Sequence, residues 1–165
     1  MEAFQNNALL VGELAREILR DPKRGEDAFT CGLLHDVGKV VLALVATDRF
    51  AEALRLADVP PGRPLHVVEK EVLGVSHAEV GAFLLGTWGL PLPIVTAVAY
   101  HHAPASAAPG DVELIVAVHV ADALVKEAET AGGAPVSLLD VAALEELGVL
   151  GELDGWRSVA DRVIR

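Results

Sequence analysis

The chain has 165 residues and a formal net charge of −11, and 52% of its residues are hydrophobic although only 4% are aromatic. This length and composition fit one domain with one core built from Ala, Val and Leu, and the acidic balance disfavours broad binding to nucleic acid. The single cysteine, Cys31, excludes an intrachain disulfide and is expected in the core, which suits a reducing compartment such as the cytoplasm.

The apolar residues recur with helical spacing between Gly and Pro residues, which predicts an all-α protein. Helices are predicted in chain order over residues 2–19, 26–45, 47–56, 65–73, 76–88, 92–102 and 111–130, and then after Ser137 and over 154–164. The helix 26–45 is so apolar that we expect it at the centre of the fold. Residues 1–130 are predicted to form the helical core, and residues 131–165 a C-terminal helical extension of the same domain.

Polar residues interrupt every apolar run before it reaches the roughly 20 residues that a membrane span needs. The first ten residues do not combine a basic start with an apolar stretch, as a signal peptide would. We therefore expect a cytoplasmic protein that does not bind a membrane.

The strongest local signal is the pair His35-Asp36, which lies inside an otherwise apolar helix. An imidazole nitrogen beside a carboxylate oxygen suits a divalent transition metal. A buried His and Asp that satisfy each other by hydrogen bonds would explain the same pair, since an unpaired buried charge is unfavourable. The residue types alone do not decide between a metal site and a hydrogen-bonded pair.

Other polar residues in apolar surroundings extend this signal. His77 begins one predicted helix, and His101 and His102 end another, where the helix dipole favours a positive or metal-bound imidazole. Asp122 lies within the apolar helix 111–130. Single residues of this kind are more often structural, but together with the His-Asp pair they form a candidate metal cluster.

Several motifs of the sequence resemble those of a known family. Residues 32–39 resemble the stretch that names the HD superfamily of metal-dependent phosphohydrolases. Residues 69–81, 88–91 and 100–104 resemble the HDOD subfamily of that superfamily, and the motifs follow one another in the expected order. The resemblance implies a compact helical bundle of the HD-domain type, with a metal position near its middle.

The resemblance also implies a set of site residues. The metal ligands that it implies are His35, Asp36, His77, His101, His102 and Asp122. A first-helix His that active HD enzymes use is absent, and helical spacing places its equivalent at Asn7, whose amide oxygen is a weak ligand for a transition metal. The Gly-Tyr-Pro motif of the cyclic dinucleotide phosphodiesterases is also absent after His102.

The remaining polar residues receive simpler interpretations. Lys39 either contacts a substrate phosphate, as in metal-bearing relatives, or extends its ammonium from an apolar face to solvent. Trp88 is expected to anchor the core. The others are expected at the surface, in packing contacts or in helix caps: His66, His119, Glu69 and Glu79.

Two functions from different classes remain. The HDOD resemblance and the missing His favour a non-catalytic, bacterial-type signal-transduction module that binds a protein partner or an output domain, and that could also self-associate. The alternative is a metal-dependent phosphohydrolase or phosphodiesterase acting on a nucleotide or phosphate ester, with Asp36 and Lys39 as catalytic residues. The cofactor would be Fe, Mn, Zn or Ni, bound substoichiometrically or not at all in the first case. A third possibility is a metal ion that stabilises the fold without taking part in catalysis.

Overall fold

The computed structural model describes residues 2–60, 62–107, 110, 112–130 and 138–164. These residues are helical with no strand among them, which confirms the predicted all-α class. The α-helices are α1 (Glu2–Leu19), α2 (Gly25–Leu34), α3 (Val37–Val45), α4 (Thr47–Ala57), α5 (Leu65–Leu73), α6 (His77–Thr87), α7 (Leu92–Tyr100), α8 (Val112–Glu129), α9 (Val141–Glu146) and α10 (Leu153–Val163).

Helix α8 forms the centre of the fold. All its residues from Leu114 to Val125 are buried, and it contacts α1, α2, α7 and α10. A helix that is apolar around its whole circumference must be surrounded by other elements, which explains this position. The prediction of a central helix over 26–45 was wrong, because its C-terminal end faces solvent, where Leu44 and Val45 are each 76% exposed.

The predicted helix 26–45 is also broken in the structure. His35 and Asp36 form a turn that ends α2 and begins α3. By length and composition alone, the segment Gly25–Val45 is apolar enough to cross a membrane, although its polar residues had predicted otherwise. Core helices of globular proteins pass the same test, and this segment carries a buried polar pair at its middle. We therefore assign it to the helical core.

Glycines let two pairs of helices approach until their backbones touch. A Cβ atom on Gly32 of α2 would lie 2.6 Å from the Cα atom of Gly12 in α1. A Cβ atom on Gly38 of α3 would overlap the carbonyl oxygen of His77 and lie 2.7 Å from the amide nitrogen of Gly81 in α6. These contacts bring the turn at His35 and Asp36 close to the start of α6.

The start of α6 has the capping box that the sequence predicted. The Ser76 hydroxyl accepts the backbone N–H of Glu79, and the Glu79 carboxylate accepts the backbone N–H of Ser76 at 2.9 Å. This cap fixes His77 as the first residue of α6. The end of the helix differs from expectation, because Trp88 is 63% exposed and does not anchor the core.

The C-terminal residues pack onto the same core as α8. Leu144 of α9 and Trp156 of α10 are buried with the central helix in one apolar cluster. The predicted cap Ser137 lies within residues 131–137, which are outside the described residues. The predicted boundary between residues 130 and 131 lies at the edge of the same range. Helix α9 is capped by Asp140, whose side chain accepts the backbone N–H of Ala143 at 2.9 Å.

Candidate functional site

His35 occupies the turn between α2 and α3 and is completely buried. Its Nδ1 donates to the carbonyl oxygen of Gly32 at 2.6 Å, so Nε2 faces the carboxylates. That nitrogen lies 3.2 Å from Oδ1 of Asp122 and 3.4 Å from Oδ2 of Asp36. The neighbouring pair in sequence thus meets a third group from the central helix.

Two lysines neutralise these carboxylates. The Lys39 ammonium lies 2.5 Å from Oδ2 of Asp36, one turn earlier in the chain. The Lys126 ammonium lies 2.7 Å and 3.0 Å from the two oxygens of Asp122, one turn earlier on α8. Each carboxylate therefore has a cation supplied by its own stretch of chain.

Three histidines complete the cluster from α6 and the end of α7. Nδ1 of His101 donates to the Val98 carbonyl oxygen at 2.7 Å, which leaves its Nε2 buried without a hydrogen bond. Nε2 of His77 lies 3.1 Å from Oδ1 of Asp36 and 3.0 Å from Nε2 of His102. The structure thus brings all six predicted metal-site residues into one place.

The ligand-type atoms form two overlapping triplets. His35, His101 and Asp122 make the first triplet, and His77, His101 and His102 make the second, each with its atoms within 4.8 Å of one another. Nε2 of His101, which both triplets share, is buried without a hydrogen-bond partner, whereas the other ligand-type atoms lie in ionic contacts within the cluster. Imidazole nitrogens and a carboxylate oxygen gathered in this way are a donor set that fits a divalent transition metal.

Charge is unevenly distributed across the cluster. Burial alone would lower the pKa of His35, but the carboxylates of Asp36 and Asp122 outweigh it and raise that pKa to about 9. Burial opposes ionisation of those carboxylates, yet His35 and the adjacent lysines hold both pKa values well below the usual range. Burial, reinforced by neighbouring histidines, lowers the pKa values of His101 and His102 well below 6.5. Those two rings are therefore neutral, as metal ligands must be.

Asn7 is turned away from this cluster. Its side-chain amide donates to the carboxylate of Glu129 at 3.3 Å. Glu129 lies seven residues after Asp122 on α8, which is about 10 Å along a helix. Helix α1, where HD enzymes carry their first histidine, contributes no residue to either triplet.

Glu69 was expected in a cap or at the surface, and this was wrong. It is completely buried. One of its carboxylate oxygens accepts both the backbone N–H of His77 at 2.8 Å and Nδ1–H of the same residue at 2.6 Å. This fixes the His77 ring with Nε2 towards Asp36 and His102. The sequence does contain a signal for this burial, because Glu69 lies between Leu65 and Leu73 on one helical stripe.

His119 connects the cluster to the C-terminal extension. It is buried on α8, its Nδ1 donates to the carbonyl oxygen of His101 at 2.8 Å, and its Nε2 accepts the backbone N–H of Asp140 at 2.9 Å. Burial lowers the pKa of His119, so the ring is neutral, as the accepting nitrogen requires. The prediction that it has a packing role holds, but its two hydrogen bonds were not foreseen.

His119→Leu should lower the free energy of unfolding by about 2 kcal/mol, because it leaves the His101 carbonyl and the Asp140 amide without their partner. Urea denaturation followed by circular dichroism measures this loss. His66→Leu is the matched control, since His66 is half-buried and its Nδ1 makes no hydrogen bond. Equal urea concentrations at the midpoint of unfolding for the two variants would contradict the role assigned to His119.

Known proteins resemble the chain in sequence and in fold. An uncharacterized protein of Treponema pallidum (strain Nichols) is 38% identical over 79 residues, which cover 46% of this chain and 15% of that protein. A solved HDOD domain protein of unknown function from Geobacter sulfurreducens superposes with a TM-score of 0.75 at 23% identity, covering 97% of this chain and 57% of that chain.

A solved structure of a proposed signal transduction protein from Marinobacter aquaeolei VT8 superposes with a TM-score of 0.73 at 26% identity. It covers 98% of this chain and 37% of that one. The chain thus spans less than two thirds of the length of each of these proteins.

The HDOD domain family matches residues 1–104, which is more than half of the chain. The matched region includes the turn at His35 and Asp36 and all three clustered histidines, whereas Asp122 lies beyond it. Motif order, helical fold and matched residues agree, and the chain belongs to the HDOD domain family.

Proposed function

We propose that this chain is a regulatory HDOD module for signal transduction in which the HD-type metal site is degenerate. In this proposal it acts by contacting a protein partner or a neighbouring output domain, in the cytoplasm. The name of the Marinobacter relative supports the signalling role, although the chain spans only 37% of that protein.

The observation that carries the proposal is the pairing of both cluster carboxylates with lysines of the chain itself. Lys39 and Lys126 supply at Asp36 and Asp122 the positive charge that a metal ion would otherwise bring. A divalent ion would also have to displace the proton from His35, whose pKa of about 9 reflects the same two carboxylates. Together with Asn7 at the place of the first histidine, these features favour a cluster that is stable without metal.

A phosphohydrolase is the second candidate, and the unpartnered Nε2 of His101, which both triplets share, favours it. His35, His101 and Asp122 would hold one ion, and His77, His101 and His102 would hold another. A bound ion would supply activation of water for attack on a phosphate ester. Asp36 would orient the neighbouring ligands, and Lys39 would hold the phosphate by its charge.

Metal content and turnover separate the two functions. We expect the chain, purified after growth with Fe, Mn, Zn and Ni, to contain well under one metal ion per chain by elemental analysis. We also expect no hydrolysis of nucleotides or of a generic phosphodiester above the rate of His35→Ala. Stoichiometric metal with turnover that His35→Ala abolishes would establish the enzyme. Metal without turnover, together with a lower melting temperature after chelation, would indicate a structural ion.

A further inference from the structure

Among the described residues, Lys126 makes the closest contact with the Asp122 carboxylate. Its ammonium contacts both oxygens of the Asp122 carboxylate, at 2.7 Å and 3.0 Å, whereas His35 reaches only one of them, at 3.2 Å. The two residues are four apart on α8, so the helix itself places the lysine over the aspartate. Asp122 is also the only carboxylate of the two triplets.

The surroundings of Lys126 differ from those of its partner. The Asp122 side chain is 2% exposed, but the Lys126 side chain is 28% exposed. Lys126 and Lys39 line a surface cavity of about 310 Å³ between α3, α5 and α8. The lysine can therefore leave the carboxylate and extend into the cavity, whereas the aspartate cannot follow it.

A metal ion and the Lys126 ammonium would compete for the same oxygens. An ion bound by His35, His101 and Asp122 would lie close to the ammonium, and two positive charges repel strongly where little water screens them. Binding of the ion would thus require the ammonium to move away. The affinity of the triplet for metal then depends on how firmly Lys126 holds Asp122.

We propose that Lys126 is a tethered cation that occupies Asp122 and thereby sets the affinity of the His35, His101 and Asp122 triplet for a divalent metal. This rests on the proposed function in one respect, because it explains how a module with most HD ligands remains largely metal-free. The chain then has two states, one with Asp122 bound to lysine and one with Asp122 bound to metal.

The test measures the affinity for Co²⁺, whose visible absorption reports its ligands, in the full chain and its variants. We expect Lys126→Met to bind Co²⁺ at least about tenfold more tightly than the unmodified chain, since removing one nearby charge changes the interaction by more than the 1.4 kcal/mol that corresponds to tenfold. Lys23→Met is the matched control, because it removes the same charge from an exposed site and should leave the affinity unchanged.

A second substitution links the gain to Asp122. In the Lys126→Met background, Asp122→Asn should remove the gain, because the neutral amide is a weaker ligand. If Lys126→Met does not fold by circular dichroism, Lys126→Gln replaces it, since Gln keeps a hydrogen-bond donor without the charge. Co²⁺ affinity in the folded variant equal to that of Lys23→Met would overturn the proposal.

The outcome is independent of the test of the proposed function. If the unmodified chain proves to be a metal-loaded hydrolase, the signalling proposal fails. The ratio of the Co²⁺ affinities of Lys126→Met and the unmodified chain still tests the role of Lys126. If the chain is metal-free and Lys126→Met remains so at high Co²⁺ concentration, the role of Lys126 fails while the signalling proposal stands.

Discussion

Gly38→Ala should destabilise the domain by about 3 kcal/mol or more, because the added methyl group has no space. It would overlap the carbonyl oxygen of His77 and lie 2.7 Å from the amide nitrogen of Gly81. Both neighbours are backbone atoms that cannot rotate away as a side chain would. Relief requires α3 and α6 to separate, which also moves the His35-Asp36 turn away from His77. Urea denaturation followed by circular dichroism measures the loss.

Gly155→Ala is the matched control for this prediction. Gly155 lies in α10, and a Cβ atom added there meets no atom within 4 Å. Alanine in a helix interior is favoured over glycine by about 0.5–1 kcal/mol, so this variant should be slightly more stable than the unmodified chain. The close contact of α3 with α6 at Gly38 is refuted if Gly38→Ala is tolerated as well as Gly155→Ala.

Helices bounded by local signals could be predicted from the sequence. The predicted range 65–73 equals the bounds of α5, and Gly74 caps its C-terminal end with a φ of +82°. The start of α6 follows from the Ser76 capping box. Such signals are read within a few residues, and tertiary contacts do not change them here.

The break between α2 and α3 could not be predicted in the same way. The apolar periodicity of residues 26–45 continues through His35 and Asp36, and no Pro marks a boundary. The turn is sustained by contacts between distant parts of the chain, in which Gly38 packs on α6 and His35 meets Asp122. Periodicity carries no information about such contacts.

The candidate site, like the fold, could be predicted from the sequence only in part. The residues of the two triplets follow from the motifs of the family resemblance. The roles of Glu69 and His119 required the structure, because each depends on a partner that spacing alone did not identify. Lys126 is spaced to pair with Asp122 on α8, but the structure was needed to place that pair in the metal-type cluster. A charged residue on a helix is ordinarily solvated, and the apolar stripe that indicates burial of Glu69 does not identify His77 as its partner.

Glu69→Ala should lower the free energy of unfolding by about 3 kcal/mol, since it removes a buried acceptor of two hydrogen bonds and leaves both donors unsatisfied. The backbone N–H and Nδ1–H of His77 would both lose their acceptor. For a chain of this length the melting temperature should fall by about 6–12 °C. Differential scanning calorimetry measures this shift.

A comparison within α5 separates this effect from a general loss of charge. Glu71 lies two residues later, is exposed and pairs only with Arg63 in the described contacts, so Glu71→Ala should change the melting temperature little. Glu69→Gln should fall between the two, because its amide oxygen can still accept the hydrogen bonds of His77 but the negative charge is gone. Since Glu69 also orients His77, Co²⁺ binding at the second triplet should weaken about 10–100-fold in Glu69→Ala. A stable Glu69→Ala variant with unaltered Co²⁺ binding would show that His77 is held by other contacts.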